Sequence, residues 1–190
     1  MDRMQSKQVL LIADANPVNV NILKAMLAPD YDIKVAADEE ETIRLASPPD
    51  APELVLLSNM TLTADAYEVC RKLKADKTTK DIPIILLSEP TTEDTEAKGF
   101  ELGAADYLTK PFKKSVVNAR VRTHLELRRY RDNFEKRLQK RVSELHEEIQ
   151  ERRDIADTYH ALVEHAMDGI VIIHDCKVRF ANPAFCKLIG

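Results

Sequence analysis

The sequence predicts an α/β fold: a five-stranded parallel sheet in a three-layer sandwich of about 110 residues, with a long helix after it. Two patterns predict it. Short runs rich in Val, Ile and Leu stand at 9–13 (VLLIA), 33–36 (IKVA), 54–57 (LVLL), 82–87 (IPIILL) and 105–108 (ADYL). Their length and composition suit strands buried on both faces. Between them, apolar residues fall at helical spacing: Val18, Ile22, Met26 and Leu27; Ile43, Leu45 and Ala46; Tyr67, Val69, Cys70 and Leu73; Ala97, Phe100 and Leu102. This alternation forces parallel pairing through right-handed crossovers, and ligands of such sheets sit at the carboxyl ends of the strands. The residues reaching that edge are Asp14-Ala15, Ser58, Ser88 and Lys110-Pro111.

Local chemistry sets the boundaries. Asn16-Pro17 opens the first helix, because an Asn side chain accepts from orphan amides and proline lacks one to orphan. Gly103 ends the fourth, since glycine tolerates the left-handed conformation of such stops.

Composition excludes several classes. The 190 residues, 44% hydrophobic and 32% charged, suffice for one domain with an appendage. With four glycines and no G-x-x-x-x-G-K or G-x-G-x-x-G, the chain is no P-loop or dinucleotide enzyme. Cys70, Cys176 and Cys186 lie far apart, without the spacing of a disulfide framework or zinc cluster. No apolar run suits a membrane span or signal peptide, so the chain reads as soluble and cytoplasmic. Residues 1–112 carry 12 Lys and Arg against 20 Asp and Glu, and 113–190 carry 16 against 12, so the net −4 hides halves of −8 and +4. The basic excess, in RRYRDNFEKRLQKR, is interleaved with Asp132 and Glu135 and reads as a solvated helix face, with no nucleic acid expected.

From VLLIADANPVN through PELVLLSNM and IPIILLSEP to GAADYLTKPF, the chain resembles the receiver domain of two-component response regulators, with five motifs in order over roughly residues 6–125. The resemblance implies a flavodoxin-like (βα)5 fold. It also implies a site in which an aspartate at the third strand's end accepts a phosphoryl group beside Mg²⁺ held by two further acidic residues. Such chemistry needs carboxylates as nucleophile and as hard oxygen ligands. Asp14 matches the first acidic residue, but Ala15 stands at the second and Ser58 at the phosphoacceptor. A serine hydroxyl is a poor nucleophile without an adjacent base, and no histidine precedes His124. The expectation is a degenerate receiver with no cofactor and weak or absent Mg²⁺ binding. Ser88 matches the switch hydroxyl, Tyr107 the aromatic that rotates inward with it, and Lys110 the phosphoryl-pairing lysine, with a cis bond to Pro111. A purely structural alternative pairs Lys110 with Asp14 and leaves Tyr107 a half-buried edge aromatic. In MTLTADAYEV, Leu62 and Ala66 replace the family's turn proline and glycine, and Asp65 reads as a helix cap.

Between Pro111 and Gly169 there is no proline or glycine, which predicts one helix from Lys114 to Met167, too long for this receiver alone to cover. Heptad position a falls at Val142, Ile149, Ala156 and Val163, and d at Leu145, Arg152, Tyr159 and Ala166. Seven of these eight are apolar or aromatic, which predicts a parallel coiled-coil homodimer. An antiparallel helical hairpin is the alternative, without a turn residue to make it. Upstream, Leu127, Tyr130, Phe134, Leu138 and Val142 step by 3, 4, 4 and 4, a stutter near Phe134–Val142.

The last residues, YHALVEHAMDGIVIIHDCKVRFANPAFCKLIG, resemble the opening of a PAS sensor domain: a turn at Asp168-Gly169, strands at 170–174 and 178–181, and a helix from Asn182-Pro183. About 30 residues of a roughly 100-residue fold are present, so apolar strand faces are expected to be exposed. His160, His165 and His174 form no metal constellation. The reading is thus a receiver-like domain (1–125), a signalling helix (113–167) and a truncated PAS start (168–190). It expects an interaction and dimerisation module that relays conformational signals between kinase or output partners, and is itself no enzyme. The alternatives are a working phosphoacceptor, or the regulatory half of a histidine kinase or diguanylate cyclase.

Overall fold

The computed structural model describes residues 7–58, 66–89, 99–175 and 177–189. The expectations on Leu62, Asp65, Ala97 and Cys176 lie outside them. The chain divides into two compact units, with the boundary between Asp132 and Asn133.

The first unit holds β1 (Val9–Ala13), α1 (Pro17–Leu27), β2 (Asp32–Ala36), α2 (Glu39–Ala46), β3 (Leu54–Ser58), α3 (Ala66–Ala75), β4 (Ile84–Ser88) and β5 (Asp106–Thr109). It also holds the first turns of α4 (Lys114–Glu164). The five strands pair in parallel in the order β2-β1-β3-β4-β5, the doubly wound sheet expected of alternating strands and helices. Strand residues alternate between two cores. Leu10, Ile12, Leu54, Leu56, Ile85 and Leu87 pack on α1 and on Val117, Val121 and Leu125 of α4. Leu11, Val55, Leu57, Ile84 and Leu86 pack on Val69, Cys70 and Leu73 of α3. Both faces of β3 and β4 are buried, which is why these strands read as unbroken apolar runs.

The structure sharpens the reading of individual strands and helices. The fourth strand starts at Ile84 rather than at Ile82, because Pro83 has no N–H for the ladder. The buried face of α1 is Asn19, Val20, Leu23 and Leu27, whereas Val18 and Ile22 face outward at 62% and 39% exposure. Phe100 is half exposed and lays its ring edgewise on Tyr107, with centroids 5.0 Å apart. The caps behave as expected: the Asn16 side chain accepts from the Val18 amide, and Gly103 takes φ +90°.

The second unit contains the remainder of α4, the antiparallel pair β6 (Val171–His174) and β7 (Lys177–Ala181), and α5 (Pro183–Ile189). The helix ends at Glu164, three residues short of Met167, so the last expected seam position, Ala166, is not helical. Asn182 explains that end. It is fully buried, and its side-chain amide donates to the carbonyls of Val163 and Asp168, capping the helix terminus. Its side-chain oxygen accepts from the amides of Ile170 and Phe185, so one residue fastens helix end, turn, hairpin and α5. Ile172, Ile173 and Val178 are more than half exposed, as expected of an incomplete sheet.

Candidate receiver site at the carboxyl edge of the sheet

The strand ends β1, β3, β4 and β5 bring Asp14, Ser58, Ser88 and Lys110 to one edge, as parallel order requires. Ser58 and Ser88 are the last residues of their strands, and both are buried. Asp14 is buried at 2% exposure, and the loop after it together with the first turn of α1 occupies both of its carboxylate oxygens. Oδ1 accepts from the Asn16 amide at 2.8 Å, and Oδ2 accepts from the Asn19 side-chain amide at 2.9 Å. Asp14 therefore organises the start of α1. Ala15 presents a methyl group beside it.

Lys110 does not pair with Asp14. Its ammonium group reaches Glu89 at 2.9 Å, and its backbone amide donates to the Ser88 carbonyl. The Lys110–Pro111 peptide is cis. The Ser88 hydroxyl is buried and has no hydrogen-bond partner among the described residues, which leaves it an open polar atom at this edge. Tyr107 is buried rather than half-buried, at 7% exposure. Its phenol lies so close over Gly99 that a Cβ there would stand 1.5 Å from the hydroxyl oxygen. Only glycine at 99 admits the ring in this position.

Two groups of polar residues were not singled out from the sequence. Glu89 and Asn19 engage the site residues, and their adjacency to Ser88 and to the Asn16-Pro17 cap was the available signal. At the start of β5, Asp106 binds Arg120, and His124 lies 3.0 Å from its other oxygen, which ties α4 to the sheet. Burial acts to raise the Asp106 carboxyl, but Arg120, the Tyr107 amide and His124 outweigh it and hold the group below its ordinary range. Nothing in a linear pattern joins positions 106, 120 and 124.

The response regulator receiver domain matches residues 10–122, more than half of the chain. The chain belongs to the response regulator receiver family. A PAS domain matches in part, over residues 157–190. Among relatives, the receiver is 36% identical over 115 residues to the response regulator PleD of Caulobacter vibrioides, covering 60% of this chain and 25% of PleD. It is 34% identical over 127 residues to a probable cyclic di-GMP phosphodiesterase of Vibrio cholerae, covering 67% and 29%. Its fold matches the receiver domain of a signal transduction histidine kinase from Syntrophus aciditrophicus, with TM-score 0.57, 28% identity, and coverage of 63% and 90%. It also matches the receiver domain of sensor histidine kinase PA1611 from Pseudomonas aeruginosa, with TM-score 0.58, 25% identity, and coverage of 64% and 99%. That structure holds a magnesium ion in its active-site cleft. Among the described residues, no helix is long and apolar enough to cross a membrane, and no three His, Cys, Asp or Glu side chains group to hold a metal.

Proposed function

We propose that this receiver is degenerate: a cytoplasmic interaction and dimerisation module that carries conformational signals along α4 to a PAS sensor and an output domain. The observation that carries the reading is the carboxyl edge itself. Serine ends β3, alanine follows Asp14, and Asp14 spends both oxygens on Asn16 and Asn19. Magnesium is a hard ion that needs several oxygen ligands in near-octahedral geometry. The described edge offers the carboxylates of Asp14 and Glu89, and the chain's own groups engage both, so these residues do not fit the ion. Ser58 has no histidine within 1–123 to activate it, and its hydroxyl titrates far above neutrality.

Regulation then comes from partners rather than from phosphoryl transfer. A histidine kinase or another signalling protein docks on the receiver, and a second copy pairs along α4. A kinase or cyclase output belongs to the longer protein, in keeping with relatives that are far longer than their receivers. No nucleic-acid or membrane partner enters this reading.

Amide NMR titration with Mg²⁺ and then beryllofluoride tests it. The parent chain should show no saturable shift at Asp14, Ser58, Ser88 or Lys110. The Ala15→Asp, Ser58→Asp double variant should bind Mg²⁺ and respond to beryllofluoride. A saturable response in the parent chain would overturn the degenerate reading and favour a working phosphoacceptor.

A further inference from the structure

From residue 133 onward, α4 carries a stripe of apolar side chains on an otherwise charged surface. Phe134, Leu138, Val142, Leu145 and Ile149 are 41% to 62% exposed. Farther along, Arg152, Ala156, Tyr159 and Val163 line a groove whose other wall is Ile172 and Phe180 of the hairpin, so the stripe from Phe134 to Ile149 is the part that lies before this groove. What covers it is written in the residues beside it.

Positions flanking the seam on one side (g) are Arg141, Glu148, Ile155 and Leu162, and on the other side (e) His146, Arg153, His160 and Met167. In a parallel coiled coil each g residue meets the e residue five positions later on the other helix, whereas in an antiparallel one g meets g and e meets e. The e flank is basic or neutral throughout, so every antiparallel alignment leaves Arg153 without an acidic partner. The parallel, unshifted alignment sets Glu148 against Arg153 twice, once on each side. We propose that the occupant of this face is a second copy of the chain, parallel and in register, joined by reciprocal Glu148–Arg153 pairs. The proposal rests on the pairing reading above and adds orientation and register to it.

Arg152 refines the picture. It stands at a seam position, where its copy on the second chain is its neighbour, and within its own chain it is held by Glu148 at 2.8 Å. Two Arg152 guanidinium groups at the seam repel, so each Glu148 must serve Arg152 of its own chain and Arg153 of the other. This polar step makes the pairing weaker than an all-apolar seam, and it opposes any slip that would separate the Arg152 pair from the carboxylates of Glu148.

Sedimentation equilibrium of the 190-residue chain tests the proposal with Glu148→Arg, Arg153→Glu and their equimolar mixture. In the parallel register each variant alone sets like charges together on both sides of the dimer, and the mixture sets opposite charges together on both sides. Each single variant should associate roughly tenfold more weakly than the parent, with the mixture recovering to within about twofold. Arg152→Leu should tighten association by a similar factor. In an antiparallel dimer the two single changes cannot both weaken association, so a variant that leaves the parent's dissociation constant unchanged overturns the orientation while the dimer stands. Failure of the mixture to recover overturns the register. A parent chain that stays monomeric at about 100 μM overturns the pairing reading and the proposal together.

Discussion

The two units of this chain use apolar residues in opposite ways. In the receiver unit, β1, β3 and β4 bury Leu10, Leu11, Ile12, Val55, Leu56, Leu57, Ile84 and Ile85 completely between helices of the same unit. In the second unit, Leu145, Ile149, Tyr159, Ile172 and Val178 remain 41% to 69% exposed. The difference lies in dimensionality. A sheet with helices on both faces encloses its own core, whereas a single helix offers a stripe that only another surface can close. Apolar content in the first unit therefore serves folding, and in the second, under the pairing proposed above, it serves assembly.

Substituting one residue in each unit separates these roles most sharply. Leu56→Ala should lower the stability of the receiver unit by about 3 kcal/mol, read by denaturant unfolding, and leave the association constant unchanged. Leu145→Glu should do the reverse, weakening association on the order of 100-fold in sedimentation while leaving the receiver's unfolding midpoint in place. If the two variants moved the same observable, the division between folding and assembly would fail.

Asn182→Ala tests the second unit's own order. It removes four hydrogen bonds and leaves the amides of Ile170 and Phe185 and the carbonyls of Val163 and Asp168 without that partner. The expected cost is about 2 kcal/mol, seen as faster amide exchange across β6 and β7 with no change in β1 to β5. Unchanged exchange in the hairpin would show that Asn182 does not fasten it.

The smallest effect is electrostatic and belongs to the receiver unit. Asp106→Asn breaks the link to Arg120 and His124 and should cost about 1 kcal/mol at neutral pH. The folded Asp106 carboxyl lies below its ordinary value of 3.8, so its contribution is present above that value and is lost as pH falls through the folded one. Parent and variant should differ at pH 7 and converge in urea unfolding once the pH has fallen below the folded Asp106 value. A gap that persists at the acid end would assign the effect to packing.

The order of strands and helices, the parallel sheet, the cap at Asn16 and the stop at Gly103 were all legible because each depends on residues near one another in the chain. Runs of β-branched and aliphatic residues mark buried strands, and Gly103 answers a local backbone need. The face of α1 was not legible. Val18 and Ile22 look like core residues by spacing, yet the sheet receives Val20 and Leu23 and brings the Asn19 amide to Asp14. Hydrophobic spacing is ambiguous when a helix carries apolar residues on more than one side.

At the carboxyl edge the same division holds. Sequence alone showed which residue types occupy the strand ends, including Ser58 and Ala15, on which the proposed degenerate reading rests. Which partners those residues take was decided in three dimensions. Lys110 meets Glu89 rather than Asp14, and Asp14 turns to Asn16 and Asn19. Tyr107 sinks against Gly99, and Asp106 draws Arg120 and His124 across from α4. Those choices depend on distances between elements far apart in the chain, and hydrogen bonds and ion pairs, being short-ranged and directional, form only where the packed sheet and helices set the groups face to face.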